Sequence, residues 1–164
     1  MQLVKVETKI AAPIERCFLL SLSIDLHTES TAQTGEQAIA GVTHGLIGLN
    51  ETVTWRGRHF GFMLTQKTLI SKYEAPFHFQ DIMLKGMFQS FEHDHYFEVI
   101  GDGETLMRDE LRFIAPLGPL GWIAETFVLR RYLEKFLIQR NSTIKEVAEA
   151  SPSVWQRFLG NETN

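Results

Sequence analysis

Apolar and polar residues follow two different periods along the chain, and together these predict a mixed α and β structure. Residues 3–10 (LVKVETKI) alternate with a period of two, which is typical of a β-strand with one apolar face. Pro13 then suits the first turn of a helix, because its missing N–H would have no partner there. One helix is predicted over 14–23 (IERCFLLSLS) and a second, short one within 23–30 (SIDLHTES).

Six further strands are predicted between about residues 37 and 115, because alternating stretches are separated by glycine, proline or polar breaks. The stretches are GEQAIAGV, NETVTWRGRHF, FMLTQKTLISKYE, FHFQDIMLK, FQSFEHDHYFEVI and ETLMRDELRFIA. The links between consecutive strands are short, so the pattern favours an antiparallel meander.

A long helix is predicted over 122–150 (WIAETFVLRRYLEKFLIQRNSTIKEVAEA), which contains neither proline nor glycine. Its apolar residues recur at helical spacing, and at ~1.5 Å per residue it would reach ~40 Å. Ser151 and Pro152 end it. A last short helix is predicted over 153–159 (SVWQRFL), with Ser151 as its cap.

This order of elements predicts an α+β fold formed by a single domain over residues 1–164. A curved antiparallel sheet of seven strands has one face that must be covered, and the long C-terminal helix can lie across its concave side. The two short helices follow the first strand. A curved sheet around one helix packs imperfectly, and the gap between them is a natural place for a ligand cavity.

Composition and charge narrow the class of partner. The formal net charge is −4 with no basic block, which argues against nucleic acid as a partner. The single cysteine, Cys17, cannot form an internal disulfide and fits a reducing compartment. No apolar run reaches the ~18 residues of a membrane span. We therefore expect a cytoplasmic protein without a membrane span. The sequence does not decide whether the protein forms a homodimer.

The chain resembles the SRPBCC superfamily, whose members share the START-like helix-grip fold. The resemblance rests on IAAPIERCF, SIDLHTES, GLIGLNETVTWRGRHFG, FHFQDIMLKGMFQSFEHDHYFEV and the helix after PLGPLG. It covers about residues 3–148 and leaves the tail 151–164 outside. Within the superfamily, the chain looks like a small stand-alone bacterial branch that resembles polyketide cyclase/dehydrase-type domains. The resemblance implies the fold and a hydrophobic cavity, but no particular substrate and no cofactor, because this fold hosts many functions.

The stretch FEHDHYFEV places two histidines on the apolar face of one strand. Period two puts Phe91, His93, His95 and Phe97 on that face. In the next strand, the corresponding face carries Met107, Asp109, Leu111 and Phe113. A three-residue loop over 101–103 would pair Ile100 with Glu104. The same register places His95 directly opposite Asp109.

Several residues are predicted to surround a ligand in the cavity, with the orientation of Asp81 left open. They are Trp55, His59, Tyr73, Asp81, Phe91, His93, Phe97, Met107, Phe113 and Phe127. His95 and Asp109 are the candidate catalytic pair, because a carboxylate can orient an imidazole that acts as a general base. The histidines lack zinc-like spacing, so no metal is expected.

Three functions are compatible with this pattern. The first is binding of an apolar or aromatic small molecule in the cavity, with the histidines and Asp109 as orienting polar groups. The second is an enzyme resembling polyketide cyclases, in which His95 and Asp109 move a proton; whether any reaction occurs stays open. The third is an interaction module that docks through the C-terminal tail. Its docking stripe would be Val154, Trp155, Phe158 and Leu159.

Overall fold

The computed structural model describes residues 1–115 and 128–160. The strands are β1 (Gln2–Ile10), β2 (Gln37–Gly41), β3 (Thr52–His59), β4 (Phe62–Glu74), β5 (His78–Lys85), β6 (Ser90–Gly101) and β7 (Glu104–Ile114). The helices are α1 (Ile14–Ser21), α2 (Ile24–Ser30), α3 (Arg130–Glu149) and α4 (Pro152–Trp155), and a 3₁₀ turn (Gln156–Phe158) follows. The predicted start of the long helix, with Phe127, lies outside the described residues.

The seven strands form one antiparallel sheet in the order β1-β7-β6-β5-β4-β3-β2. The meander from β2 to β7 follows chain order, and β1 joins the far edge beside β7. The predicted α+β class and helix-grip architecture are therefore confirmed. Their basis is the period-two pattern, which gives each strand one buried face.

The described part of the long helix packs its apolar stripe against the sheet. The stripe consists of Leu133, Leu137, Arg140, Asn141, Ile144, Val147 and Ala148. Two polar residues, Arg140 and Asn141, thus occupy the middle of a buried face, where unpaired polar groups would be unfavourable. Across the described ranges, no helix combines the length and the apolar character that crossing a membrane would require.

The β6–β7 hairpin has the predicted register over most of its length but not the predicted turn. His95 is opposite Asp109, as the alternation required. At the turn, however, Gly101 pairs with Glu104, and a bulge at Ile100 takes up the extra residue. The predicted three-residue loop is therefore wrong. The bulge restores the phase, so the same apolar residues still face inward.

One end of the concave face is filled by helix α1. The ring of Phe18 makes edge-on contacts with Tyr73, Phe79 and Phe97, at centroid distances of 5.3, 5.7 and 5.5 Å. Edge-to-face packing of this kind is the favoured arrangement of buried aromatic rings. The interior is therefore solid at this end, and any cavity must lie farther along the sheet.

The described part of the C-terminal tail folds back onto the domain. Phe158 is buried in the core, and Trp155 packs against the same core. The guanidinium of Arg16 lies 4.4 Å from the centre of the Trp155 ring. The proposed docking stripe is thus largely occupied by its own domain, which counts against the tail as an interaction module.

Candidate functional site

A cavity of about 160 Å³ lies between the concave face of the sheet and helices α2 and α3. Strands β3 to β7 all contribute to its wall. Its apolar wall includes Val53, Ile70, Leu111, Leu133, Phe136 and Leu137. Two polar clusters interrupt this wall, one deep and one beside α2. A mainly apolar pocket with a few convergent polar groups is the usual form of a small-molecule site.

The structure places the sequence-predicted site residues in three groups. Those on the cavity wall are Trp55, His59, Asp81, Phe91, His93 and His95. Those packed in the core away from it are Tyr73, Phe97, Met107 and Phe113. Asp109 is fully buried behind the two histidines. Phe127 lies outside the described residues.

The four core residues face inward as predicted, but other side chains cover them. Phe18 packs on Tyr73 and Phe97. The hydroxyl of Ser21, also on α1, contacts the sulfur of Met107. These contacts explain why the inner face and the cavity wall are not the same set of residues.

Phe113 is separated from the cavity at the opposite side. It is fully buried and lies edge-on to Phe88, with 5.6 Å between ring centroids. Phe88 itself lines the cavity. The prediction that Phe113 borders the cavity is therefore wrong.

The deep polar cluster joins two histidines to two carboxylates. Nε2 of His93 donates a hydrogen bond to Oδ1 of Asp109 at 2.8 Å, and Nε2 of His95 donates to Oδ2 of Asp81 at 3.0 Å. The two imidazole rings lie 3.8 Å apart between centroids. Asp81 thus faces inward, which resolves the orientation that the sequence left open.

The expected contact between His95 and Asp109 is present as a distance but not as a hydrogen bond. Nδ1 of His95 lies 2.9 Å from Oδ1 of Asp109, yet the direction does not meet hydrogen-bond geometry. The well-formed bond to Asp109 comes from His93, its diagonal neighbour across the strands. Diagonal neighbours remain within reach of long side chains, so exact opposition in register does not decide the hydrogen-bond partner.

The charges of this cluster follow from burial and proximity. Burial alone would raise the pKa of Asp109, but the two histidines at its oxygens hold it well below its usual range. Burial would lower the pKa of His95, but Asp109 and Asp81 outweigh burial and raise it. For His93, burial and the neighbouring His95 prevail and lower the pKa. The cluster therefore favours one charged and one neutral imidazole.

Helix α3 anchors the cluster from the other side. Nδ2 of Asn141 donates to Oδ2 of Asp109 at 2.7 Å. A guanidinium nitrogen of Arg140 lies 3.7 Å from Oδ1 of the same carboxylate, and the other terminal nitrogen donates to the carbonyl of Ser21 at 3.2 Å. The polar pair on the buried stripe of the helix is thus matched to the carboxylate on the sheet.

A second polar cluster is centred on Glu36, beside helix α2. Its carboxylate lies 2.8 Å from Nε2 of His27 and 3.0 Å from Nε2 of His59. The hydroxyl of Tyr132 lies 2.6 Å from Nδ1 of His59. The ring of His27 stacks on Trp55 at 4.0 Å. All five residues line the cavity, so a ligand would meet two separate polar groups.

Gly57 allows Glu36 to approach this closely. A Cβ at position 57 would lie 2.6 Å from Cγ of Glu36, which is closer than real contacts permit. Burial would raise the pKa of Glu36, but the hydrogen bonds from His27 and His59 outweigh burial and lower it to about 2. Burial, together with the nearby charge of Glu36, raises the pKa of Tyr132.

Replacing Glu36 with glutamine is expected to lower stability in a pH-dependent manner. The folded-state pKa of Glu36 is depressed, so its contribution is complete above about pH 4.5 and is lost as the pH falls through about 2. In urea unfolding, the free energy of unfolding of the variant should be about 1–3 kcal/mol lower than that of the wild type at pH 6. This difference should narrow by about half at pH 3. A deficit that stays constant over this range would contradict the lowered pKa.

Sequence reasoning missed several polar residues of these two clusters. Arg140 and Asn141 could have been found, because they stand three and four residues after Leu137 on the apolar stripe of the helix. Glu36 gave no such signal. It lies just before the edge strand β2, in which the large apolar residue Ile39 is 43% exposed. The position of the apolar residue therefore predicts the wrong inward face for this part of the chain.

Comparison with solved structures shows the same fold at low sequence identity. An aromatase/cyclase from a Streptomyces species, Zhui, matches with a TM-score of 0.73 and 10% identity over 90% of this chain and 93% of that one. A START superfamily protein from Mycobacterium smegmatis matches with a TM-score of 0.68 and 12% identity, over 90% of this chain and 97% of that one. Ginseng major latex-like protein 151 from Panax ginseng matches with a TM-score of 0.63 and 13% identity, over 91% of this chain and 98% of that one.

These likenesses confirm the START-like helix-grip fold that the sequence resemblance predicted. At such identities they show the fold alone. No protein-family model matches the chain, and no curated protein matches it by sequence.

Proposed function

We propose that the chain binds an apolar or aromatic small molecule in the cavity between the sheet and the long helix. The observation that carries the proposal is the cavity itself, whose apolar wall is broken by two polar clusters facing the same space. The deep cluster presents Asp81, His93 and His95, and the other presents Glu36, His59 and Tyr132. An apolar body with a polar group at one or both ends fits this arrangement.

The volume limits the ligand to a small one. An enclosed apolar cavity of about 150 Å³ is large enough to hold benzene. At about 160 Å³, this cavity therefore fits a molecule built around one aromatic ring in the conformation described. A carbonyl or hydroxyl group on that ring would be oriented by the imidazoles, because either can hydrogen-bond to a ring nitrogen or its proton.

Filling the cavity from β4 should expel a bound ligand. Thr68 is buried on the cavity wall, and Thr68→Phe would place a ring in the space. Thr54→Phe is the matched control, because Thr54 lies next to Val53 on the opposite face of β3. Native mass spectrometry of freshly purified protein should show an additional small mass on the wild type and the control, but not on Thr68→Phe. A ligand that Thr68→Phe retains would lie outside the cavity and contradict the proposal.

Acid–base catalysis on the bound molecule is the second candidate. It is favoured by one observation, the ion-paired histidines on the cavity wall, with Asp109 held behind them by Asn141. His95 or His93 could touch a substrate, whereas buried Asp109 could act only by positioning them. If a carbonyl-rich substrate is turned over, His95→Gln should abolish turnover and leave ligand affinity within about threefold. If His95→Gln lowered turnover and ligand affinity by the same factor, His95 would have a role in binding and none in catalysis.

A further inference from the structure

Three side chains on the cavity wall converge in the pattern of a metal centre. Asp81, His93 and His95 each present one ligand atom, and these atoms lie within 4.8 Å of one another. We propose that these three residues bind a divalent transition-metal ion, such as Zn²⁺ or Fe²⁺, with its remaining coordination positions open to the cavity. The metal proposal is independent of the small-molecule proposal, because the metal ion alone can test it.

The separations between the ligand atoms are close to those that a metal requires. Ligands about 2.1 Å from a tetrahedral or octahedral ion lie about 3.0–3.4 Å from one another. Oδ2 of Asp81 lies 3.0 Å from Nε2 of His95 and 3.7 Å from Nδ1 of His93. Both distances are within a few tenths of an ångström of this range, and the two imidazole nitrogens lie within 4.8 Å of each other.

The other nitrogen of each imidazole already lies against a buried carboxylate. Nε2 of His93 and Nδ1 of His95 lie 2.8 and 2.9 Å from the same oxygen of Asp109. Metal-binding histidines usually direct their second N–H to a carboxylate in this way, which fixes the tautomer and the ring orientation. If both rings give their N–H to Asp109, the lone pairs of His93 Nδ1 and His95 Nε2 both lie on the side of Asp81.

His95 supplies a second, independent indication. It is only 2% exposed, and its Nδ1 has no properly directed hydrogen-bond partner among the described residues, although Nε2 donates to Asp81. A protonated ring has two N–H groups and can serve both Asp81 and Asp109, whereas a neutral ring has one N–H and can serve only one of them. A metal ion beside Asp81 can replace the proton on Nε2, which then gives its lone pair to the metal, while Nδ1 keeps its proton next to Asp109.

The charges around the site also favour a cation. Asp81 and Asp109 contribute two negative charges, and Arg140 contributes one positive charge. The guanidinium lies on the Asp109 side and is tied to the carbonyl of Ser21. In the metal-free protein, a charged His95 balances the remaining negative charge. When both imidazoles are neutral, as metal ligands must be, the divalent ion takes over that role, so that no buried charge is left uncompensated. The exposed side of the ion could take a carbonyl or phenolate oxygen from a molecule in the cavity.

Binding of Co²⁺ and Zn²⁺ to the full chain, after treatment with a chelator, tests the proposal. Visible absorption of Co²⁺ and calorimetry with Zn²⁺ should each give one ion per chain. Asp81→Ala should weaken binding more than ~100-fold, and Asp109→Asn, acting through the histidines, by ~10–100-fold. His78→Gln is the matched control, because His78 makes a similar bond to Asp94 (2.9 Å) on the outer face of the sheet.

Circular dichroism of each variant distinguishes a loss of metal binding from a loss of folding. Asp81 is the ligand residue whose replacement disturbs the core least, because its side chain is 18% exposed. The proposal is overturned if the wild type binds neither ion with one-to-one stoichiometry. It is also overturned if Asp81→Ala binds as tightly as the wild type, or if His78→Gln loses binding to the same extent. Binding of an aromatic molecule to the metal-free protein would be unaffected by any of these results.

Discussion

Asp109→Ala is expected to lower the free energy of unfolding by about 3–5 kcal/mol, the range for removing one partner from a buried charged pair. The carboxylate is fully buried, accepts hydrogen bonds from His93 and Asn141, and lies 3.7 Å from the guanidinium of Arg140. Its removal takes away the acceptor of Nε2 of His93 and leaves Asn141 with only a longer bond, 3.4 Å, to the hydroxyl of Thr8. Urea unfolding at pH 7 measures the change.

Asp109→Asn should be milder, with a loss of about 1–3 kcal/mol, because the amide keeps the shape and one acceptor oxygen. Asp102→Ala is the control, since Asp102 is exposed in the β6–β7 turn, and it should change stability by less than about 0.5 kcal/mol. A loss below about 1 kcal/mol for Asp109→Ala would contradict the central place given to this carboxylate.

Phe18→Ala should lower the free energy of unfolding by a similar amount, about 3–5 kcal/mol, because it removes a fully packed aromatic ring from the core. It should also extend the cavity, because the removed ring packs against Phe79, which lines the cavity. We therefore expect the variant to bind two-ring aromatic compounds that the wild type excludes. Unfolding curves and ligand-detected NMR measure the two effects.

Phe62→Ala provides the comparison for Phe18→Ala. Phe62 is 71% exposed at the start of β4, so its removal should change neither stability nor the size of the ligand by a measurable amount. If Phe18→Ala is destabilised but binds the same compounds as the wild type, the ring does not set the end of the cavity.

The elements of the fold could be predicted because each depends on a local pattern. The period of two placed all seven strands, and in β6 and β7 it also assigned the inward face and the pairing of His95 with Asp109. The turn was wrong, but the bulge at Ile100 compensates. An irregular turn does not change which residues are buried, because the phase of the alternation along each strand decides which residues face the core.

The site was harder to predict because it depends on contacts between elements distant in sequence. Nothing in the pattern of β4 and β6 shows that Phe18 covers their inward aromatic residues. The crossed bonds of the two histidines depend on the angle of each ring, which alternation does not fix. Glu36 became part of the site because Gly57 leaves room for it, a fact that only the paired strands reveal.

Entry of a one-ring aromatic molecule into the cavity is the property on which the proposed function depends most directly. Ligand-detected NMR with a panel of phenols, benzaldehydes and small aryl ketones should find binding to the wild type and to Thr54→Phe, and none to Thr68→Phe. Resonances of the His93 and His95 imidazoles should shift on binding, because both rings line the cavity. Failure of the whole panel to bind the wild type, or equal binding to Thr68→Phe, would contradict the account.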